Sequence, residues 1–155
     1  MATNITSSFF EADSILFVGY SKRHAAYCKS IREAFEKRGT VVYPVNPGTG
    51  PYDVKVYASI EEVPAKPVLA VVITNKSRNA ELLDALAAKG VKRVLFGSKV
   101  SADASTLERC AALGMESAVV CPLQALGSGF HRFHGWIAGV PKVASGRSGP
   151  VPAKA

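Results

Sequence analysis

Val68 to Ile73 reads VLAVVI, an apolar run with no polar interruption and shorter than the ten or so residues of an ordinary buried helix. A strand with this composition has no face for water. Both of its sides must be covered, which is the situation of an interior strand in a parallel sheet. The run therefore predicts a central strand. Other short apolar runs flank it at Ile15 to Gly19, Val41 to Val45, Val54 to Tyr57, Val91 to Phe96 and Ser117 to Cys121, giving six expected strands. Segments of helical period lie between them. His24 to Arg38 places Ala26, Tyr27, Ile31, Ala34 and Phe35 on one face, with Gly39 as a C-terminal cap. Ser59 to Val63 suits a helical turn. Ser77 is placed to cap a helix running to Lys89, with Leu82, Leu83 and Leu86 inward and Gly90 at its end, and Ala102 to Leu113 forms a third helix before Gly114. Alternation of this kind requires right-handed crossovers. The expected fold is α/β, a Rossmann-like parallel sheet with helices on both faces in a single domain.

A chain of 155 residues with 48% apolar composition suffices for one such core. The domain is expected over residues 1–141, with 142–155 as a disordered tail, because from Lys142 the chain is Pro, Gly, Ser, Ala, Val and Lys without periodicity. No basic residue precedes Lys22 and the first apolar run is short, which argues against a signal peptide or a membrane span. Cys28, Cys110 and Cys121 are an odd number at wide spacing. They read as reduced thiols in a cytoplasmic protein, with Cys28 and Cys110 structural. The net charge of +7 divides unevenly: residues 1–116 contribute +3 and residues 117–155 contribute +4. No aromatic or helical nucleic-acid motif accompanies it, so nucleic acid ranks low as a partner.

Ligands of open parallel sheets bind beyond the carboxyl ends of the strands, near the point where strand order reverses. Four loops are nominated: Gly19 to His24, Asn46 to Gly50, Thr74 to Ser77 and Gly97 to Lys99. In the first, an apolar strand ends in Gly19-Tyr20-Ser21 and opens into a helix, a pattern in which backbone amides and the helix N-terminus attract an anion. Lys22, Arg23, Lys76 and Lys99 add positive charge to the same rim, which suits a polyphosphate. A dinucleotide site is disfavoured. Ser21 and His24 stand where its second and third glycines belong, and Asn46 stands where a carboxylate would hold the ribose diol.

These residues resemble the small stand-alone CoA-binding domain proteins, relatives of the CoA-binding domain of the succinyl-CoA synthetase α subunit. The resemblance covers about residues 15–123 and rests on Val18-Gly19-Tyr20-Ser21-Lys22, on Gly39 to Pro47 (GTVVYPVNP), on Val56 to Ile60 with Val63-Pro64, on Gly90-Val91-Lys92 and on Cys121-Pro122. It implies that Gly19, Tyr20, Ser21 and Lys22, with Arg23 beside them, cradle phosphates. It further implies that Val45, Asn46 and Pro47 border the adenosine and that Thr74, Asn75 and Lys76 lie along the pantetheine arm. The sequence departs from the family at Val68, where Asp is common, and at Leu95 to Lys99, where a Trp-x-Gln-x-Gly segment is common.

The expected function is non-covalent binding of coenzyme A or an acyl-CoA, with no evident reaction of its own. The alternatives are a component of an NDP-forming acyl-CoA synthetase, working with a separate ATP-grasp chain, and an NAD(H)-binding redox sensor. A homo-oligomer is compatible with either. No catalytic triad or carboxylate pair stands out. His131 and His134 lack companion ligands, so they are better read as the edge of a packing segment with Phe130, Phe133, Trp136 and Ile137 than as a metal site. Cys121 sits at a ligand-facing strand end, although a small, partly buried cysteine more often has no chemical role.

Overall fold

The structure, a computed structural model, describes residues 7–126. Strands β1 (Ser14–Val18), β2 (Val41–Val45), β3 (Leu69–Val72), β4 (Arg93–Phe96) and β5 (Glu116–Val119) form one sheet. They are parallel throughout, in the order β2-β1-β3-β4-β5. The helices are α1 (Ala25–Glu36), α2 (Asn79–Lys89), α3 (Ala104–Ala112) and the short α4 (Pro122–Leu126). The VLAVVI run supplies β3, which is the central strand and fully buried.

Strand alternation divides the apolar residues into two cores. Ile15, Phe17, Leu69, Val71, Leu95 and Ala118 face one side, where Cys28, Ile31 and Phe35 of α1 and Leu123 and Ala125 of α4 cover them. Leu16, Val18, Ala70, Val72, Val94 and Phe96 face the other, covered by Leu83 and Leu86 of α2 and Cys110 of α3. Burying one Leu, Ile or Phe side chain is worth roughly 1.5–3 kcal/mol, more than the few tenths that separate ordinary residues in helix propensity. Packing therefore carries α1, whose first residue follows His24 without any side-chain cap. At the opposite end of the sheet Arg93 is buried and donates to the carbonyls of Ser8, Phe9 and Glu11, pinning the turn that plugs Phe9 and Phe10 into the core.

Three local expectations need correction. Val54 to Tyr57 is not a strand, which leaves five strands where six were expected. Only Tyr57 bridges to Val45: its amide donates to the Pro44 carbonyl at 2.9 Å and its carbonyl accepts from the Asn46 amide at 2.9 Å. The next rung would need an amide from Pro44, which proline lacks, so the ladder stops after one residue. The buried face of α1 is Cys28, Ile31 and Phe35, while Ala26 is exposed. Finally, α2 begins at Asn79 after a tight turn at Lys76–Arg78 that Asn75, not Ser77, caps through its side chain. His131, His134 and the 142–155 segment lie outside the described residues. Among the described residues no helix is long and apolar enough to cross a membrane.

Candidate functional site

All four nominated loops lie at the carboxyl ends of β1 to β4, on one rim. After β1 the chain turns to α1 on one face of the sheet; after the adjacent β3 it turns to α2 on the other. The two connections diverge, and the crevice between them is the switch point at which open α/β sheets bind ligands. Gly19 and Thr74 stand on its two sides.

Gly19 has φ +97°, and its amide donates to the Val45 carbonyl at 3.0 Å. A β-carbon there would meet Thr74 Cγ2 at 2.9 Å and the Thr74 amide nitrogen at 3.2 Å. Both the turn and the close approach thus require glycine. The Ser21 amide donates to the buried Cys28 sulfur at 3.4 Å, and the Ser21 hydroxyl accepts from the Arg23 amide at 3.1 Å. Of the amides in the Gly19 to Ser21 turn, that of Tyr20 has no acceptor among the described residues. A weak N–H···S contact is readily exchanged for an anionic oxygen, so the turn retains a second potential donor in Ser21.

The loops after β1 and β2 are clamped together. Asn46 donates from Nδ2 to the Tyr20 carbonyl at 2.8 Å and accepts at Oδ1 from the Gly48 amide at 2.7 Å. Lys22 Nζ donates to the carbonyls of Thr49 and Gly50 at 3.0 and 3.3 Å. The Tyr20 ring is buried edge-on against Phe17, and its hydroxyl donates to Asp53 at 2.8 Å while accepting from Arg32 Nε at 3.2 Å. Arg32 spans the group, reaching Asp53 at 3.0 Å and Glu36 at 2.8 Å. Desolvation would raise the Asp53 pKa, but the hydrogen bonds from Tyr20 and Arg32 outweigh it and hold the carboxyl below its usual range. Burial, foremost, raises the Tyr20 phenol.

A second clamp joins the loops after β3 and β4. The Lys76 amide donates to the Val100 carbonyl at 3.0 Å, and Lys76 Nζ pairs with Asp103 at 3.5 Å. Asn79 Nδ2 donates to the Ser101 carbonyl at 2.8 Å and to Thr106 Oγ1 at 3.1 Å. Asp103 caps α3 in a reciprocal box with Thr106. Among the described residues no side-chain hydrogen bond crosses from one clamp to the other. The β1–β3 ladder and the packing of Thr74 on Gly19 join them.

A model of the CoA binding domain family matches residues 13–126, which takes in the whole sheet and all four rim loops. This chain belongs to the CoA binding domain family. Solved structures share its fold at low identity. Prb, the PH1109 protein redesigned for binding, is 18% identical with a TM-score of 0.69, over 84% of this chain and 99% of its own. A hypothetical protein from Pyrococcus horikoshii OT3 is 20% identical with a TM-score of 0.67, over 78% and 89%. A conserved hypothetical protein from Pyrococcus furiosus is 23% identical with a TM-score of 0.59, over 68% and 91%. The curated proteins contain no match.

In this CoA binding domain the residues nominated from sequence do gather on one rim, but they do not all present side chains to it. Tyr20 and Val45 are buried, so either can face a ligand only through its backbone. The Asn46 side chain is spent between Tyr20 and Gly48, whereas Pro47, Asn75 and Lys76 are exposed. Lys22 is tied to uncharged backbone carbonyls and Lys76 pairs with Asp103, while Arg23 and Lys99 are exposed. At the far side of the rim Tyr27 Oη lies 3.4 Å from Cys121 Sγ, and burial above all raises the Tyr27 phenol. Cys28 and Cys110 are buried, and desolvation pushes the Cys110 thiol up to about 11. Sequence reasoning missed Arg32, Asp53 and Asn79. Their partners lie 12 or more residues away along the chain, and only the Arg32–Glu36 spacing of four gives a local signal.

Proposed function

We propose that this domain binds coenzyme A or an acyl-CoA non-covalently across the carboxyl ends of β1, β2 and β3, and catalyses no reaction alone. The observation that carries the reading is the family match over 13–126, because it spans every loop of the switch-point rim. In this reading the Tyr20 and Ser21 amides and the α1 N-terminus receive the diphosphate, with Gly19 permitting the approach and Lys22 and Arg23 supplying charge. Val45, Asn46 and Pro47 border the adenosine through backbone and ring surface. Thr74, Asn75 and Lys76 follow the pantetheine arm. NAD fits less well, since the Asn46 amide is committed within the protein and no carboxylate stands at the end of β2 for a ribose diol. The free thiols suit a reducing cytoplasm. Native mass spectrometry of the purified protein tests the proposal: a co-purifying mass of CoA or an acyl-CoA is expected. Calorimetry showing equal affinity for CoA and NAD would overturn it.

A further inference from the structure

Every polar group of Tyr20 but one is engaged inside the protein. Its carbonyl accepts from Asn46 Nδ2, and its hydroxyl donates to Asp53 Oδ1 at 2.8 Å while accepting from Arg32 Nε at 3.2 Å. Arg32 in turn donates from a terminal guanidinium nitrogen to Asp53 Oδ2 at 3.0 Å, which closes a triangle of hydrogen bonds at the far end of the buried ring. The remaining group is the amide, which has no acceptor among the described residues. It belongs to the Gly19–Tyr20 peptide, and both flanks of that peptide are held. The Gly19 amide donates to Val45 on one side, while the carbonyl, ring and hydroxyl of Tyr20 are fixed on the other.

Resting on the CoA reading above, we infer that Arg32 and Asp53 are positioning residues: through the Tyr20 hydroxyl they hold the Gly19–Tyr20 peptide ready to donate its N–H to a diphosphate oxygen. Neither touches the ligand. The need arises from the turn itself. Gly19, at φ +97°, has the least restricted backbone of any residue type, so the orientation of the peptide that follows it must be set from the Tyr20 side. An amide ordered before the ligand arrives spares binding the entropy of ordering it. The triangle draws on three segments, the turn after β1, helix α1 and the loop after β2, and α1 is packed on the sheet. The Arg32 side chain is only 12% exposed, unlike a solvated surface pair, and meets Tyr20, Glu36 and Asp53 with three different nitrogens. A lysine ammonium does not reproduce that fork.

Calorimetry with CoA, well below the melting temperature and on variants shown by circular dichroism to be folded, separates this role from a structural one. Tyr20→Phe keeps the ring and loses the hydroxyl, and should bind about fivefold more weakly than the wild type. Asp53→Ala should lose a similar factor, as should Arg32→Lys, which keeps the charge but not the fork. Adding either change to Tyr20→Phe should weaken binding no further, because both residues act through the hydroxyl that is already gone. Losses that multiply in the double variants would overturn the inference, since Arg32 or Asp53 would then reach the ligand by another route. So would single variants that melt lower yet bind CoA like the wild type, which marks the triangle as structural alone. Should the Arg32 and Asp53 variants fail to fold, wild-type affinity in Tyr20→Phe overturns it unaided. Failure of the wild type to bind CoA would instead overturn the underlying reading, and this inference with it.

Discussion

Asn46 Nδ2 donates to the main-chain carbonyl of Tyr20 across 2.8 Å, so the residue that follows β2 holds the turn that follows β1. The position at which dinucleotide-binding sheets place a ribose-binding carboxylate is here a brace between two loops. Asn46→Asp should therefore not confer NAD binding. It replaces a donor by an anion facing a carbonyl oxygen, and should cost about 1–2 kcal/mol of stability while weakening CoA. Urea unfolding beside calorimetry with both nucleotides checks this, and a gain in NAD affinity would contradict it.

Substitution at Gly19 tests the turn itself. The φ of +97° and the 2.9 Å approach to Thr74 burden any side chain, so Gly19→Ala should lose about 1–3 kcal/mol of stability and most of its CoA affinity. Gly19→Val, branched at Cβ, should be worse on both counts. Circular dichroism must accompany each titration, and a folded alanine variant with unchanged affinity would place the ligand elsewhere.

Lys22→Ala removes a charge and also a strap, because Nζ is held by the carbonyls of Thr49 and Gly50. An exposed contact of this kind contributes on the order of 1 kcal/mol or less, so CoA should weaken several-fold, by less as salt rises. Hydrogen exchange at Gly48, whose amide donates to Asn46 in the same loop, should quicken in the variant. Unchanged exchange there would show that the strap does not order the loop.

Acid should act through Asp53. Its folded pKa lies below the unfolded one, so its contribution to stability is complete above the unfolded value and is lost as the pH falls below about 4 through the folded value. Asp53→Asn keeps an acceptor for Tyr20 but not the charge that meets Arg32. Wild type minus variant stability should be constant from neutral pH down to the mildly acidic range and shrink below it. A difference that grew with acid would contradict the assignment.

Sheet, helices and rim were legible because each rests on a one-dimensional pattern. VLAVVI announces a two-sided strand, and the positions of Gly39, Gly90 and Gly114 mark helix ends before the next strand. The false strand at Val54 to Tyr57 has the right composition, but pairing depends on the neighbour it meets, and Pro44 is eleven residues upstream of Lys55. The candidate site was half legible for a similar reason. Sequence places Tyr20 and Asn46 at strand ends but does not indicate that one side chain turns into the core toward Arg32 and Asp53, or that the other is consumed as a brace. Those outcomes are settled by which buried polar groups find partners, a three-dimensional accounting with no periodic signature.

The pairing of the rim loops into two clamps bears on how changes at the site will combine. Asn46 and Lys22 fasten the same two loops to each other, and Asn79 and Asp103 share Thr106 as a partner, so the free-energy effects of substituting either pair together should differ from the sum of the single effects. Asn46 and Asn79 belong to opposite clamps joined through a ladder, and their effects on folding should simply add. A ligand lying across the crevice would end that independence. The non-additivity that appears between Asn46 and Asn79 only when nucleotide is present would measure, in free energy, how far the bound molecule welds the two halves of the rim into one cooperative unit.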